Sequence, residues 1–592
     1  MNVNICMPVF VTRVVAAAVT MFGLTGGAQA AVWTGATNLG WGTSGNWTGG
    51  VPNAIGAVAD FSQFDVTSDT YEIDMAATRT VGSWIVGDTN GTNRYQFSNR
   101  TTIWDVNSGN ALLQLTSTAF GNNILKSGIW TLNDNLDVQL DGSATLISWA
   151  GINTSPARTL TLTGTGGGLL QFSGSGATIQ GALKIVVDNP NGELRLNGNI
   201  GAATYTGGTE IKKGTFTYLQ SANNFLGANG GITLGELSGT DNATFRIGSA
   251  NDRTVGKAFT LAANSSGTLK IAASAQGGGT RTYTFSGGVT GDYGLTIENE
   301  GDDENLLFTT NALDFSGLLT HTGAGTGTAT IAQAVDIGSN VTGLVQNSAS
   351  SKLILDGAKT FSGPTTVQAG TLELGATGGL SSTTISVASG ATFDVSAVTG
   401  GFALGSAQTL GGSGTVTGAV SLTSTGSILS PGASPGILSF DTNQAWNAFS
   451  YEWEVNDWTG TTAGTAFDQI AITGSLDLSS GTAYQLDLLS LDAGNASGQV
   501  PNFAETARSW TILTTTTGIT GFNASLWTIG TSGFSSSPTA TGTFSLATGN
   551  GGQDLVLTYV PVPEPAAVGL LGVAGLCAGF GLARQRRFLG RR

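Results

Sequence analysis

The stretch "VQAGTLELG", Val367 to Gly375, carries an apolar-x-x-Gly-Thr-apolar-x-apolar pattern that returns as "IKKGTFTYL" at 211–219. With one extra residue after the glycine it appears again as "VASGATFDV" (387–395) and "LSSGTAYQL" (478–486). Each copy reads as two short strands around a glycine turn. Leu372-Glu373-Leu374 and Phe393-Asp394-Val395 alternate apolar with polar residues, which sends every second side chain to one core. "ATYTGGTEIKKGTF" (203–216) and "KTFSGPTTVQAGTL" (359–372) extend the likeness upstream, and Gly370 to Gly390 is a step of 20 residues. A period of that size is one coil of a parallel β-helix, whose neighbouring coils complete each other's backbone hydrogen bonds and bury a continuous apolar column. The expected fold is therefore all-β: a right-handed parallel β-helix (β-solenoid) with capping ends, followed by a single C-terminal transmembrane helix.

Composition agrees with that reading. The chain has 592 residues, 90 of them Gly, and 40% are hydrophobic, enough to form a core. Only 10% are Lys, Arg, Asp or Glu, against about 25% in ordinary globular proteins. The surface must then be made of Thr, Ser, Asn and Gly, as suits an extracellular β protein. Tryptophan subdivides the body: seven of the 12 lie between Trp33 and Trp149, none between 150 and 445, and five between Trp446 and Trp527. Large aromatics at both ends suit caps over strand edges that would otherwise template aggregation. Trp41 and Trp47 read as cap or core packing, with stacking on sugar rings as the functional alternative. The expected divisions are 1–30 as a signal peptide, 31–150 as a Trp-rich N-terminal β region and cap, 151–440 as the β-helix repeats, 441–560 as a C-terminal β region and 561–592 as a sorting tail.

The two ends carry targeting signals. Residues 1–30 hold a lone cation at Arg13, an apolar run from Val14 to Leu24 and Ala28-Gln29-Ala30, the pattern of a secretory signal cleaved between Ala30 and Ala31. At the other end, Ala566 to Ala583 is 18 residues without a charge, a helix of roughly 27 Å that just spans a bilayer core. Arg584, Arg586, Arg587, Arg591 and Arg592 follow and hold that end in the cytoplasm. Pro563-Glu564-Pro565 precedes the helix, with prolines that keep the strand extended. Loss of both ends would remove six of the 23 cations and none of the 38 acids, leaving a net charge of −21. So acidic a body makes nucleic acid and anionic membrane poor partners. Cys6 and Cys577 both lie in the removable segments, so the body has no disulfide to rely on.

In order, length and spacing, residues 561–592 resemble the PEP-CTERM sorting signal of exopolysaccharide-producing Gram-negative bacteria. The resemblance implies an exosortase-type processing enzyme as partner, transient anchoring in the inner membrane, and final delivery to the cell surface or extracellular matrix. Within the body, "LGGSGTVTGAVSLTSTGSILSPGASPGILSF" (410–440), with its Ser-Pro-Gly-x-Ser-Pro-Gly turn, resembles the autotransporter-associated β-strand repeat. The Trp-rich opening at 32–61 and "AFDQIAITGSLDLSSG" (466–481) are similar to the ends of such proteins. True autotransporters finish in a membrane β-barrel, and this chain finishes in the sorting tail.

Chemistry is sparse. The one histidine, His321, has no partner nucleophile or second ligand nearby in sequence and reads as a solvent-facing or hydrogen-bonded loop residue. Serines and aspartates abound, but without a second histidine or a nucleophile elbow a Ser-His-Asp triad is unsupported, and a zinc site would need carboxylates almost alone. "ENEGDDEN" (298–305) packs Glu298, Glu300, Asp302, Asp303 and Glu304 into seven positions. Their oxygens suit Ca²⁺, but the spacing is neither an EF-hand nor a nonapeptide array, so the stretch reads as a solvated acidic loop. "YEWEVND" (451–457) puts Glu452 and Glu454 on one strand face opposite Trp453 and Val455, either an acid/base pair for glycoside cleavage or two exposed residues. No catalytic residue, metal or cofactor is assigned. The reading is a non-enzymatic structural or adhesion protein of the exopolysaccharide matrix, with exopolysaccharide as a partner. A polysaccharide lyase or glycosidase built on the same β-helix is the alternative.

Overall fold

The computed structural model describes residues 30–562, apart from Asn99, Ser127, 175–176, Asn199, Gly201, 221–225, 227–229, Ser265, 275–278, Asp302 and Ala433. The signal segment up to Gln29, the Pro563-Glu564-Pro565 motif, the expected membrane helix and Arg584, Arg586 and Arg587 lie outside the described residues.

The chain winds as a parallel β-solenoid of about 17 turns. A representative coil uses three strands, Val289–Gly291, Leu295–Asn299 and Glu304–Phe308, one for each face. Each pairs in parallel with its counterpart one coil later: Val289 with Leu313, Leu295 with Leu319 and Leu306 with Ala329. The same ladder runs through the Trp-rich region, where Ala59 pairs with Trp84 and Trp84 with Leu113. It also continues past 440, where Phe440 pairs with Ile472. Among the described residues, helix is confined to three single 3-10 turns, at Ser44–Asn46, Ala524–Leu526 and Asn550–Gly552. Among the described residues, no helix is long and apolar enough to cross a membrane.

Side-chain alternation explains why the coils hold together. On the third face, Leu306, Ala329, Leu353, Leu372, Phe393, Val416 and Phe440 stack one above another through successive pairings, and each is at most 2% exposed. Burying a side chain of the size of Leu or Phe contributes about 1.5–3 kcal/mol, so a column of this kind glues coils that have no disulfide between them. At Gly370 the backbone takes φ +64°, and a Cβ there would overlap the carbonyl oxygen of Ser348 in the preceding coil. Glycine at that turn therefore permits both the conformation and the approach.

The 20-residue period holds only locally. Leu353 to Leu372 is 19 residues and Leu372 to Phe393 is 21, but Leu306 to Ala329 is 23, Ala329 to Leu353 is 24 and Ile470 to Leu513 is 43. Strand pairing fixes which residues stack, and the corners absorb the extra length. Some corners need no break: Thr209–Gln220, which contains the "IKKGTFTYL" segment, is one continuous strand that pairs with two different strands of the next coil.

Both ends are aromatic and closed. At the N-terminal end Trp33, Trp41, Trp47, Phe61 and Trp84 interlock with ring centroids 5.0–6.2 Å apart. At the other end parallel pairing stops. Arg508–Thr515 pairs antiparallel with Asp554–Val560, which pairs antiparallel with Thr543–Gly549. That hairpin occupies the Arg508–Thr515 edge of the last coil, one of its three faces; among the described residues Gly518–Thr520 and Trp527–Gly533 pair only with the preceding coil.

Candidate functional site

Stacking decides where each polar candidate goes, and it takes most of them out of circulation. Trp41 is 0% and Trp47 5% exposed. The Trp41 indole donates to the Pro52 carbonyl at 3.1 Å and the Trp47 indole to the Trp41 carbonyl at 2.7 Å. Neither ring is available to a sugar. Of the tryptophans expected to cap or pack, Trp149 instead stands 42% exposed at a coil corner.

Most of the described acidic stretch is not a solvated loop: Glu298 and Glu304 lie in strands, and exposed Asp303 belongs to the corner between them. Alternation along Leu295–Asn299 turns Glu298 outward and Asn299 inward, and stacking then brings cations from earlier coils to the acids. Glu298 is ion-paired with Lys270 at 2.6 Å, and Glu300 takes a bidentate pair from Arg246 at 2.7 and 3.0 Å, reaching across two coils. Glu304 faces the core at 2% exposure, while Asp303 accepts from the Thr326 hydroxyl at 3.1 Å. Asp302 lies outside the described residues. The carboxylates are thus spread over the inside and outside of the wall, and among the described residues no group of three His, Cys, Asp or Glu side chains could hold a metal ion.

His321 is likewise not in a loop. It lies in the strand Gly317–Thr322, fully buried, at the centre of a polar column. Nδ1 lies 2.6 Å from Gln346 Oε1, whose amide nitrogen is committed to the carbonyls of Ser348 and Ser351, and Asn299 on the other side likewise commits its amide nitrogen to the Glu304 carbonyl, so both ring nitrogens face amide oxygens and the neutral ring donates to one of them. Nε2 lies 2.9 Å from Asn299 Oδ1 and 3.3 Å from Ser351 Oγ. Burial pushes the ring down to about 4. A histidine so enclosed pins three coils together and cannot reach a substrate.

Glu452 and Glu454 sit as the alternation requires, half-buried on the outside of Gln444–Val455 with Trp453 and Val455 at 0% exposure behind them. The partner the sequence did not disclose is Asp468, at 0% exposure. Its carboxylate accepts from the backbone N–H of Gly436 at 2.7 Å and of Glu454 at 3.0 Å, tying the Ser-Pro-Gly turn to the strand. Burial raises Asp468 well above the usual carboxylate range, and burial also raises Glu454, helped by the neighbouring charge of Glu452. With both oxygens occupied by amides, Asp468 acts as a staple. Ala30 is exposed, and Ala31 begins the first strand, 3% exposed and paired with Ala59.

At the corner between the first and second faces a groove of about 440 Å³ crosses several coils, lined among others by Tyr293, Leu318, Thr296 and Thr320, with no charged residue in its wall. It could not be read from sequence because its lining comes from 267–269, 293–296, 316–320 and 342, brought together only by the coil register. No protein-family model matches this chain, and no curated protein matches it significantly.

Proposed function

We propose that the chain is a secreted, surface-delivered structural and adhesive protein of an exopolysaccharide matrix. The observation that carries the reading is the pair of terminal sequences, a signal at 1–30 and Pro-Glu-Pro, apolar helix and arginines at 561–592, flanking an acidic coil stack. The signal exports the body, the tail helix holds it transiently in the inner membrane with the arginines inside, and an exosortase-type enzyme cuts at the Pro563-Glu564-Pro565 region. The solenoid winds right-handed, as parallel β crossovers do in about 98% of cases. The site supports adhesion over catalysis because His321 and Asp468, the groups with the most displaced proton affinities among the histidine and carboxylates, spend their polar atoms on internal partners.

The test has two arms. Mass spectrometry of surface or secreted material should find an N-terminus at Ala31 and no peptide from 566–592; an intact peptide through Leu576 rejects tail removal. In the second arm, Glu452→Gln with Glu454→Gln should leave matrix association unchanged. Cleavage of the producing organism's polysaccharide by the purified protein, abolished by those two changes, would establish the glycosidase alternative instead.

A further inference from the structure

We propose that the corner groove at Tyr293 and Leu318 binds a neutral, extended glycan. The inference deepens the adhesive reading by naming the surface that holds the polysaccharide and the class of sugar it takes.

The groove exists because two backbones approach too closely for side chains. A Cβ on Gly294 would press on the Leu318 carbonyl oxygen at 2.9 Å, and one on Gly317 would meet the Gly294 nitrogen and Cα. Glycine is therefore demanded by coil packing, and the floor it leaves is bare. On one side the Tyr293 phenol donates to the Gly267 carbonyl of the preceding coil at 3.0 Å, which fixes the ring across the corner and leaves the phenolic oxygen free to accept. On the other side Leu318 stands 48% exposed. A fixed aromatic ring opposite an apolar side chain matches the C–H faces of a pyranose.

Polar complementarity comes from hydroxyls. Thr268, Thr296, Ser316, Thr320 and Thr342 line the groove, and among the described residues their hydroxyls have no hydrogen-bond partner. Hydroxyl groups both donate and accept, which suits a ligand made of hydroxyls. Charge narrows the class further. Nothing in the lining is charged, the nearest outward ion pair, Lys270 with Glu298, is closed on itself at 2.6 Å, and the body is strongly acidic. A uronic-acid polymer would meet one cation beside the groove, Lys270, in register with Thr296 and already paired with Glu298, and a repulsive field. The volume lies within the range of about 300–1,000 Å³ typical of small-ligand sites. Since the groove runs across coils spaced about 4.8 Å apart, it favours a chain laid along the solenoid over a single sugar.

The experiment is isothermal titration of the purified protein with cellohexaose, laminarihexaose, mannohexaose, chitohexaose and hexagalacturonate, with matrix association measured in parallel. At least one neutral hexaose should bind and hexagalacturonate should not. Thr320→Trp and Thr342→Trp, which fill the groove from outward positions, should each weaken binding at least tenfold. Thr330→Trp, on the third face, should not. Equal binding by the filled variants overturns the proposal, as does tighter binding of hexagalacturonate. If the protein associates with matrix but binds none of the neutral hexaoses, the groove assignment falls and the adhesive reading stands; if it does neither, both fall.

Discussion

At His321 a single proton carries a stability consequence. The folded ring titrates near pH 4 because burial disfavours the charged form, whereas the unfolded ring titrates near 6.5. Below about pH 6.5 the unfolded chain takes up a proton that the folded chain refuses, so the contribution of the neutral ring is fully present above that pH and is lost as pH falls toward 4, by an amount on the order of 3 kcal/mol. Wild-type and His321→Gln proteins should therefore differ in the pH dependence of their thermal midpoints between pH 7 and 4, the wild type falling more steeply; parallel curves would reject the assignment. Two glycines offer a second residue-level test. Gly370→Ala meets both a positive φ and the Ser348 carbonyl, while Gly390→Ala meets a positive φ of 80° and open space. The left-handed conformation alone costs about 1–2 kcal/mol, so Gly390→Ala should lose about that much and Gly370→Ala clearly more in denaturant unfolding.

The elements that close the ends do a different task from those that repeat. Removing residues 541–562 would strip the antiparallel strands from Arg508–Thr515 and expose an edge backed by buried Trp510 and Ile512. The shortened protein should self-associate by that edge, seen as large species in size-exclusion light scattering at concentrations where the full body is monodisperse; a monodisperse truncation would argue that the hairpin is decoration. This is also the scale at which the sequence was most and least legible. Period-two alternation around Gly370 and Gly390 disclosed strands, turns and parallel stacking, because those depend on neighbours in sequence. The groove, the Asp468 staple and the ion pairs of Glu298 and Glu300 depend on which residues lie one or two coils apart. That separation varies from 19 to 43 residues, so a fixed period of 20 misplaces them. His321 was misread for the same reason: only the register against Ile297 and Gln346 reveals that its position faces inward.

For the whole molecule, a solenoid makes stability nearly a sum over coils and their interfaces, and that property separates a mechanical scaffold from a globular enzyme. The region around 344–393 supplies a clean unit, since Thr365 pairs with Ile385 and Leu372 with Phe393, steps of 20 and 21 residues. Deleting 365–384 joins Pro364 to Ile385. Leu344 would then face Ile385 and Leu353 would face Phe393, apolar on apolar and still inward. Deleting only 365–374 would instead set inward positions against corners and break the ladder on every later face. The whole-coil deletion should keep the β circular dichroism spectrum, lower the thermal midpoint by a few degrees and shorten the rod by about 4.8 Å, which small-angle scattering can read. The half-coil deletion should lose cooperative unfolding. Equal damage from both would mean that the coils are not interchangeable. Because adhesion spread along a repetitive surface sums many weak contacts, the whole-coil variant should also retain most of its matrix association, whereas an enzyme whose active site drew on that coil would lose its activity outright.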